Sequence, residues 1–456
     1  MIGETVAAIS TPMGKGGIAV IRISGEMSGE ILDRCFISKG QSPTKTPRRA
    51  VFGTVVDGTE EIDTAVAVFF SEGASFTGEA SAEISCHGGV AVTQAVLSAV
   101  FKAGASPAEP GEFTRRAFIN GRLSLTEAEA VGRLIDADTD SRRRLASNAA
   151  RGALSRKTEA IRSSLTNVLA ALYAAIDYPE EDIGNEGEEQ IEGVLLENIS
   201  SLSALLRSYR TGCAVANGVV TVICGSPNCG KSTLYNLLCR EEKAIVTDVA
   251  GTTRDTLWET VDADGITLRL ADTAGIRETG DKVESIGVDR ARDALRSAEL
   301  IISVFDGSRE LSDDEKRLLC QLKEIDAAKI AVINKSDKDT FKICNDIEGS
   351  NHKVVVMSAK FGDGQRELYE AIGELFNSDK LSPGTDAVLW EARHKATVEN
   401  VIALLTDAHT ALMMGDPTDA VCTLCESALS ELSLLDGRGV TEDIVSQIFA
   451  RYCVGK

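Results

Sequence analysis

Residues 219–233 read VVTVICGSPNCGKST. An apolar, β-branched run from Val219 to Cys224 is followed by Gly225-x4-Gly230-Lys231-Ser232, and then by TLYNLLCR at helical spacing. Strand, glycine-rich loop and helix in that order are what a phosphate-binding loop requires. The glycines let main-chain N–H groups curl round a phosphate, and the helix N-terminus adds its positive end. Lys231 reaches β- and γ-phosphates, and the Ser232 hydroxyl suits Mg²⁺. From Gly218 to about residue 376 the pattern keeps alternating strand, loop and helix, which signals a parallel sheet with crossover helices.

Three further elements follow in the order of a GTPase. ITLRLADTAG is an alternating strand ending in Asp272-x-x-Gly275. There the carboxylate can hold Mg²⁺ through water, and the glycine N–H can sense a γ-phosphate. KIAVINKSD ends in Asn334-Lys335-Ser336-Asp337. A carboxylate at that position accepts guanine N1–H and the 2-amino group together; adenine offers neither, which speaks against an ATPase. KVVVMSAK places Ser358-Ala359-Lys360 at another strand end, where a main-chain N–H can meet guanine O6. Thr253, in DVAGTTRDT, is the expected switch threonine, closing on Mg²⁺ and the γ-phosphate. Ras-type enzymes position water with a glutamine just after Asp-x-x-Gly; this chain has Ile276 there, so another group must do that work.

Both flanks of this segment are helical in pattern. Residues 120–214 are rich in Leu, Ala and Arg, interrupted by the acidic connector YPEEDIGNEGEEQIE, and residues 378–456 turn helical again after SPGTD. Residues 1–119 mix short strands (GIAVIRISG, EIDTAVAVFF) with a helical stretch closed by glycine. The expected organisation is therefore α/β plus all-α. An N-terminal α/β domain spans 1–119, and a helical domain is made from 120–214 and 378–456. An inserted Ras-like α/β domain occupies 215–377.

Composition sets limits on function. A chain of 456 residues is too long for one core. A hydrophobic share of 43% and a charged share of 26% are ordinary for a globular protein. No apolar stretch reaches the roughly 18–20 residues of a membrane span, and the start MIGETVAAIS has no signal-peptide pattern, so a cytoplasmic location is expected. A net charge of −21 argues against broad binding to nucleic acid. The runs TRRAFINGR and SRRRLASNAARGALSRK read as solvated helix faces. Eleven cysteines are too few and too scattered for a disulfide scaffold, and Cys422-x-x-Cys425 sits at helical spacing, which favours packing over metal or redox chemistry. His87, in CHGG, reads as a satisfied strand-end histidine.

The chain resembles the MnmE (TrmE) family of tRNA-modification GTPases from end to end. The matching stretches are TPMGKGGIAVIRISG, SFTGE, CHGG, PGEFTRRAFINGRLSLTEAEAV, GSPNCGKST, TDVAGTTRD, DTAGIRETGDKVESIGVDRAR, NKSD and VTEDIVSQIFARYCVGK. The resemblance implies GTP contacts from Asn228, Cys229, Gly230, Lys231, Ser232 and Thr233 in the first loop. Thr247, Asp248, Val249, Ala250, Gly251, Thr252 and Thr253 follow in the switch loop. Asp272, Thr273, Ala274 and Gly275 come next, and then Asn334, Lys335, Asp337, Ser358, Ala359 and Lys360. It implies Mg²⁺ on Ser232 and Thr253. It also implies an activating K⁺ on Asn228, Thr247, Val249 and Thr252, bound where an arginine finger would otherwise reach. Glu284 takes the place of the water-orienting carboxylate.

For residues 1–119 the resemblance implies a homodimerising domain akin to the folate-binding domains of one-carbon enzymes. Its tetrahydrofolate contacts fall on Arg22, Glu79, Arg122 and Lys456. Three positions depart from the usual family pattern: Arg122 for lysine, Ser124 for aspartate, and Ala80 for an acid. The implied function is K⁺-activated GTP hydrolysis coupled to C5 modification of wobble uridine in tRNA. The flavoprotein MnmG (GidA) is the implied partner, with FAD and NADH on that partner only. A GTP-driven switch protein without one-carbon chemistry is the alternative. RYCVGK, residues 451–456, follows a segment in which Thr441 can cap a helix and Ile444, Ile448 and Tyr452 share a face. The expectation is a packed helix that delivers Cys453 to a defined place, with Cys453 a participant in one-carbon transfer.

Overall fold

In the computed structural model the described residues are 3–177, 184–240, 258–271, 298–325, 327–342, 353–376, 387–439, 442–450, 452 and 454–455. The chain divides into two compact units, one of Met1–Gly132 with Leu429–Lys456, the other of Arg133–Ala428.

The first unit is built on a seven-stranded sheet. Its strands are β1 (Val6–Ile9), β2 (Ile18–Ser24), β3 (Phe36–Ser38), β4 (Val51–Asp57), β5 (Glu60–Phe70), β6 (Ser81–His87) and β7 (Ser106–Pro107). They lie in the order β3-β4-β5-β6-β2-β1-β7. Strand alternation sorts the faces. Ala19, Ile21, Ile23, Ala82, Ile84 and Cys86 point into a core with Ile31, Leu32, Val96 and Val100 from the helices Ser28–Cys35 and Val90–Lys102. Arg22, Ser24 and Glu83 occupy the opposite face, with Arg22 paired to Glu83 in register. There the helix Glu112–Ile119 puts Phe113 against Val6 and Ala8.

The last segment belongs to this unit. The expected helix forms as Glu442–Phe449, and Phe449, Ile448 and Tyr452 pack with Leu125, Ala128 and Phe118. Phe449 and Tyr452 meet edge to face at 5.3 Å, and the Tyr452 hydroxyl donates to the Ala128 carbonyl at 3.1 Å. Val454 then bridges Pro110, and the Gly455 carbonyl accepts from Ser10 Oγ at 2.9 Å. A Cβ on Gly455 would fall 2.1 Å from the Ile9 carbonyl oxygen, and its φ of +95° is in the left-handed region, so only glycine fits.

The second unit carries a six-stranded sheet of β8 (Val219–Cys224), β9 (Trp258–Ala263), β10 (Ile266–Ala271), β11 (Leu300–Asp306), β12 (Ala328–Asn334) and β13 (Lys353–Val356). Their order is β13-β12-β11-β8-β10-β9, with only β9 antiparallel to its neighbour. This is the Ras-like arrangement. The central strands β8, β11 and β12 are largely apolar, as strands covered on both faces are, and Leu300–Phe305 is buried throughout, whereas β9 and β10 alternate apolar and polar residues. Helical sequence from both flanks packs together: Ala392–Met414 runs along Gly184–Arg207, which also lies against Ala153–Asp177. The two connections to the sheet are tied at their base. Thr211 Oγ1 donates to the Phe376 carbonyl at 2.6 Å, and Ser208 Oγ accepts from the Leu389 N–H at 3.1 Å.

Cys422 and Cys425 are both buried on one helix, Thr418–Asp436, and burial pushes the Cys425 thiol up to about 11. Among the described residues no group of three or more His, Cys, Asp or Glu side chains could hold a metal ion, and no helix is long and apolar enough to cross a membrane. His87 closes β6 and is satisfied by Asp63, 2.7 Å from its Nδ1, while its main-chain N–H donates to the same carboxylate at 2.8 Å.

Candidate functional site

β8 lies between β10 and β11, so consecutive strands leave it toward opposite sides of the sheet. A crevice outside the carboxyl ends of the strands at such a switch point is where open α/β sheets bind ligands. The Gly225–Gly230 loop occupies that position and leads into the helix Lys231–Arg240. Asn228 stands exposed at its tip with φ +61°. Cys229 is fully buried behind the loop. Lys231 Nζ donates to the carbonyls of Gly225 (2.9 Å) and Ser226 (2.8 Å), so its charge is held inside the curl of the loop. Ser232 and Thr233 are exposed at the start of the helix.

One side chain joins this loop to two others. Asn334, buried at the end of β12, donates from Nδ2 to the Cys229 carbonyl (2.8 Å) and accepts from the Ala359 N–H at Oδ1 (2.9 Å). Gly230 makes the approach feasible: with φ +106°, a Cβ there would sit 2.1 Å from Asn334 Nδ2. The glycine thus serves packing between loops as well as the backbone curl inferred from sequence.

Asp337 is exposed and accepts from Ser358 Oγ at 2.7 Å. That hydroxyl, ahead of the opposing effect of burial, holds its carboxyl below the usual range. Ser358 and Ala359 are buried, while Lys360 is exposed with its Nζ 4.9 Å from the Phe361 ring centre. Lys335, at φ +68°, pairs with Asp306 at the end of β11. Burial alone would raise the Asp306 carboxyl. Hydrogen bonds from Lys335 and Ser308, with the lysine's charge, outweigh that and hold it at about 2. Asp306 was not picked out by sequence reasoning; its place at the carboxyl end of an apolar strand, VFDGS, is the available signal.

Asn228 to Thr233, Asn334, Lys335, Asp337 and Ser358 to Lys360 are therefore brought to one rim. Thr247, Asp248, Val249, Ala250, Gly251, Thr252, Thr253, Asp272, Thr273, Ala274, Gly275 and Glu284 lie outside the described residues, as do Cys453 and Lys456.

A second polar cluster lies in the first unit. Arg22 donates from Nε and Nη2 to Glu83 Oε1 at 3.0 and 2.8 Å, and its guanidinium is 5.7 Å from the ring centres of both Phe76 and Phe113. Two residues along the same strand face, Ser24 Oγ donates to Glu79 Oε2 at 2.8 Å. Ser24, Ser75, Thr77 and Ser81 form a buried hydroxyl chain beneath that carboxylate. Arg122 runs beside the preceding residue: a Cβ on Gly78 would be 3.1 Å from Arg122 Cγ. Arg22, Glu79 and Arg122 thus gather round the loop 75–79. Gly455 reaches β1 next to Ala8, the register partner of Arg22. Sequence reasoning misses Arg116, which is buried and donates to Glu79 Oε2 at 3.0 Å; in sequence it is one charge of the basic run TRRAFINGR.

The second sheet and the loops at its rim define a Ras-like P-loop nucleotide-binding protein. Comparison with known proteins narrows this. Residues 5–122 match the family described as GTP-binding protein TrmE N-terminus, and residues 125–453 match the MnmE helical domain. Curated relatives called tRNA modification GTPase MnmE are similar throughout. That of Natranaerobius thermophilus is 37% identical over 100% of both chains. Those of Acetivibrio thermocellus and Lysinibacillus sphaericus are 39% and 40% identical over 99% of each. The chain belongs to the MnmE family of tRNA modification GTPases.

Proposed function

We propose that this chain hydrolyses GTP, with Mg²⁺ and K⁺, to drive modification at C5 of the wobble uridine in certain tRNAs, in the cytosol and together with the flavoprotein MnmG (GidA). The observation that carries the reading is the Asn334 bridge, which brings the phosphate loop and the Ser358–Lys360 loop to one rim beside Asp337. Lys231 moves from its loop carbonyls onto β- and γ-phosphate oxygens, Ser232 and Thr253 hold Mg²⁺, and Asp337 with Ala359 reads guanine. Asn228, Thr247, Val249 and Thr252 supply oxygen ligands for K⁺, which stands in for an arginine finger, and Glu284 orients the attacking water. The work is divided among a folate-binding and dimerising segment (1–119), a helical domain (120–214 and 378–456) and a G domain (215–377). The G domains of a homodimer associate on GTP and K⁺ and part after hydrolysis.

The residues round Glu79 suit a pterin with a glutamate tail. Glu79 Oε1 has no partner among the described residues, Arg22 and Arg122 offer charge for a carboxylate, and Phe76 exposes an aromatic face. Tetrahydrofolate, when bound, supplies the one-carbon unit. Arg22, Glu79, Arg122 and Lys456 hold and orient it, and Cys453 takes part in the transfer. Mass spectrometry of tRNA nucleosides from a strain lacking this chain tests the reading. Wobble uridines should lose the modification and regain it with the wild-type chain but not with Cys453→Ser. Full modification in the deletion strain would leave the switch protein without one-carbon chemistry as the better account.

A further inference from the structure

Arg116 is a buried, fully engaged charged side chain of the first unit. Its side chain is 6% exposed, and each of its nitrogens has a partner. Nη1 donates to Glu79 Oε2 (3.0 Å) and to the Ser24 carbonyl (3.5 Å). Nη2 donates to Glu112 Oε1 (2.7 Å) and to the Glu4 carbonyl (2.9 Å), and Nε donates to Glu112 Oε1 at 3.2 Å. Glu112 is fixed in turn, since its Oε2 accepts from the Glu109 N–H at 2.7 Å. One guanidinium therefore serves two carboxylates, and a rigid fork is what makes this feasible; an ammonium could not span the same acceptors in one plane.

The consequence falls on Glu79. Its Oε2 takes two donors, Arg116 Nη1 and Ser24 Oγ, and Ser24 is itself held by Thr77 Oγ1 at 2.7 Å. That oxygen is spoken for, whereas Oε1 has no partner among the described residues. A lone carboxylate on a flexible side chain rotates freely; one gripped at a single oxygen by a buried cation presents the other in a fixed direction. We propose that Arg116, held in plane by Glu112, is a positioning residue that aims Glu79 Oε1 at the pterin portion of a tetrahydrofolate ligand. The proposal rests on the folate reading given above. It assigns to Arg116 no contact with the ligand.

The test uses the full-length protein and two probes: 5-formyltetrahydrofolate, which carries the pterin, and p-aminobenzoylglutamate, which lacks it. In Arg116→Lys, calorimetric affinity for 5-formyltetrahydrofolate should fall roughly tenfold to a hundredfold, the loss expected for a charge-assisted hydrogen bond. Affinity for p-aminobenzoylglutamate should stay at the wild-type value. In a Glu79→Gln background the same substitution should cost almost nothing further, because the two residues act through one bond. Equal losses for both probes, or an undiminished affinity for the pterin probe, would overturn the assignment. If Arg116→Lys fails to melt cooperatively, Glu112→Gln decides. It leaves Arg116 buried but loosens its plane, and should weaken only the pterin probe; wild-type affinity for that probe would overturn the assignment as well. A wild-type protein that binds neither probe would instead sink the folate reading itself.

Discussion

Between Gly225 and Lys231 the residues of the loop are consecutive in sequence, the loop closes on its own carbonyls, and one distant side chain, Asn334, braces it from outside. Around Glu79 the network draws on Glu4, Ser24, Thr77 and, from one helix, Glu112 and Arg116, residues widely separated in sequence. The phosphate loop is rigid by local backbone geometry, so its motif survives as a readable string. The Glu79 cluster is held by long-range hydrogen bonds to a buried guanidinium, each of whose nitrogens has an acceptor. Damage should therefore spread differently. A substitution in the loop should stay local in its effect, and one in the long-range apolar packing of the first unit should loosen the unit that carries it.

The largest expected effect tests that spread. Phe449→Ala removes a fully buried ring from the cluster with Phe118, Leu125 and Tyr452 and should cost about 3–5 kcal/mol. In thermal melts the first unit should unfold at lower temperature while mantGTP binding on the second survives; loss of both together would break the comparison. Next, Lys231→Ala should cut GTP turnover by on the order of 10²–10³, the scale of removing one preorganised charge-stabilising donor. Its melting profile should stay that of the wild type. Asp337→Asn should shift preference from GTP toward xanthosine triphosphate by roughly tenfold to a hundredfold, the range for one bidentate base contact. Competition with unlabelled nucleotides reads it.

The smallest effect is in pH. The Asp306 carboxyl lies at about 2 in the folded chain against an ordinary 3.8. A depressed carboxyl contributes stability above the ordinary value and loses it as pH falls through the folded one. Asp306→Asn should therefore lower the melting temperature at neutral pH, with the gap to wild type closing between pH 4 and about 2. A gap that persists at pH 2 would show that Asp306 acts through something other than the Lys335 pair.

The same contrast explains what could be read in advance. The strand–loop–helix alternation and the Ras-like sheet are legible from sequence, and so is the placing of the Gly225–Gly230, Asn334–Asp337 and Ser358–Lys360 stretches at strand ends, because each is a short string after an apolar run. The helix Glu442–Phe449 is legible from its apolar spacing. Arg22, Glu79 and Arg122 could be singled out only by family resemblance. In composition Arg116 and Arg115 look alike, and only the fold shows that Arg116 turns inward to two carboxylates. The second role of Gly230, clearing space for Asn334, is likewise invisible, since the two are far apart in sequence.

The contact between Ser10 and Gly455 spans 445 positions. A ribosome adds about 5–20 residues per second, so strand β1 emerges roughly 20–90 s before the residue that seats against it. Throughout that interval the nascent first unit lacks the Phe449 and Tyr452 rings that pack on Leu125 and Ala128. Synthesis thus sets an order of assembly in which the sheet of the second unit can form while the first unit still waits for its final strap.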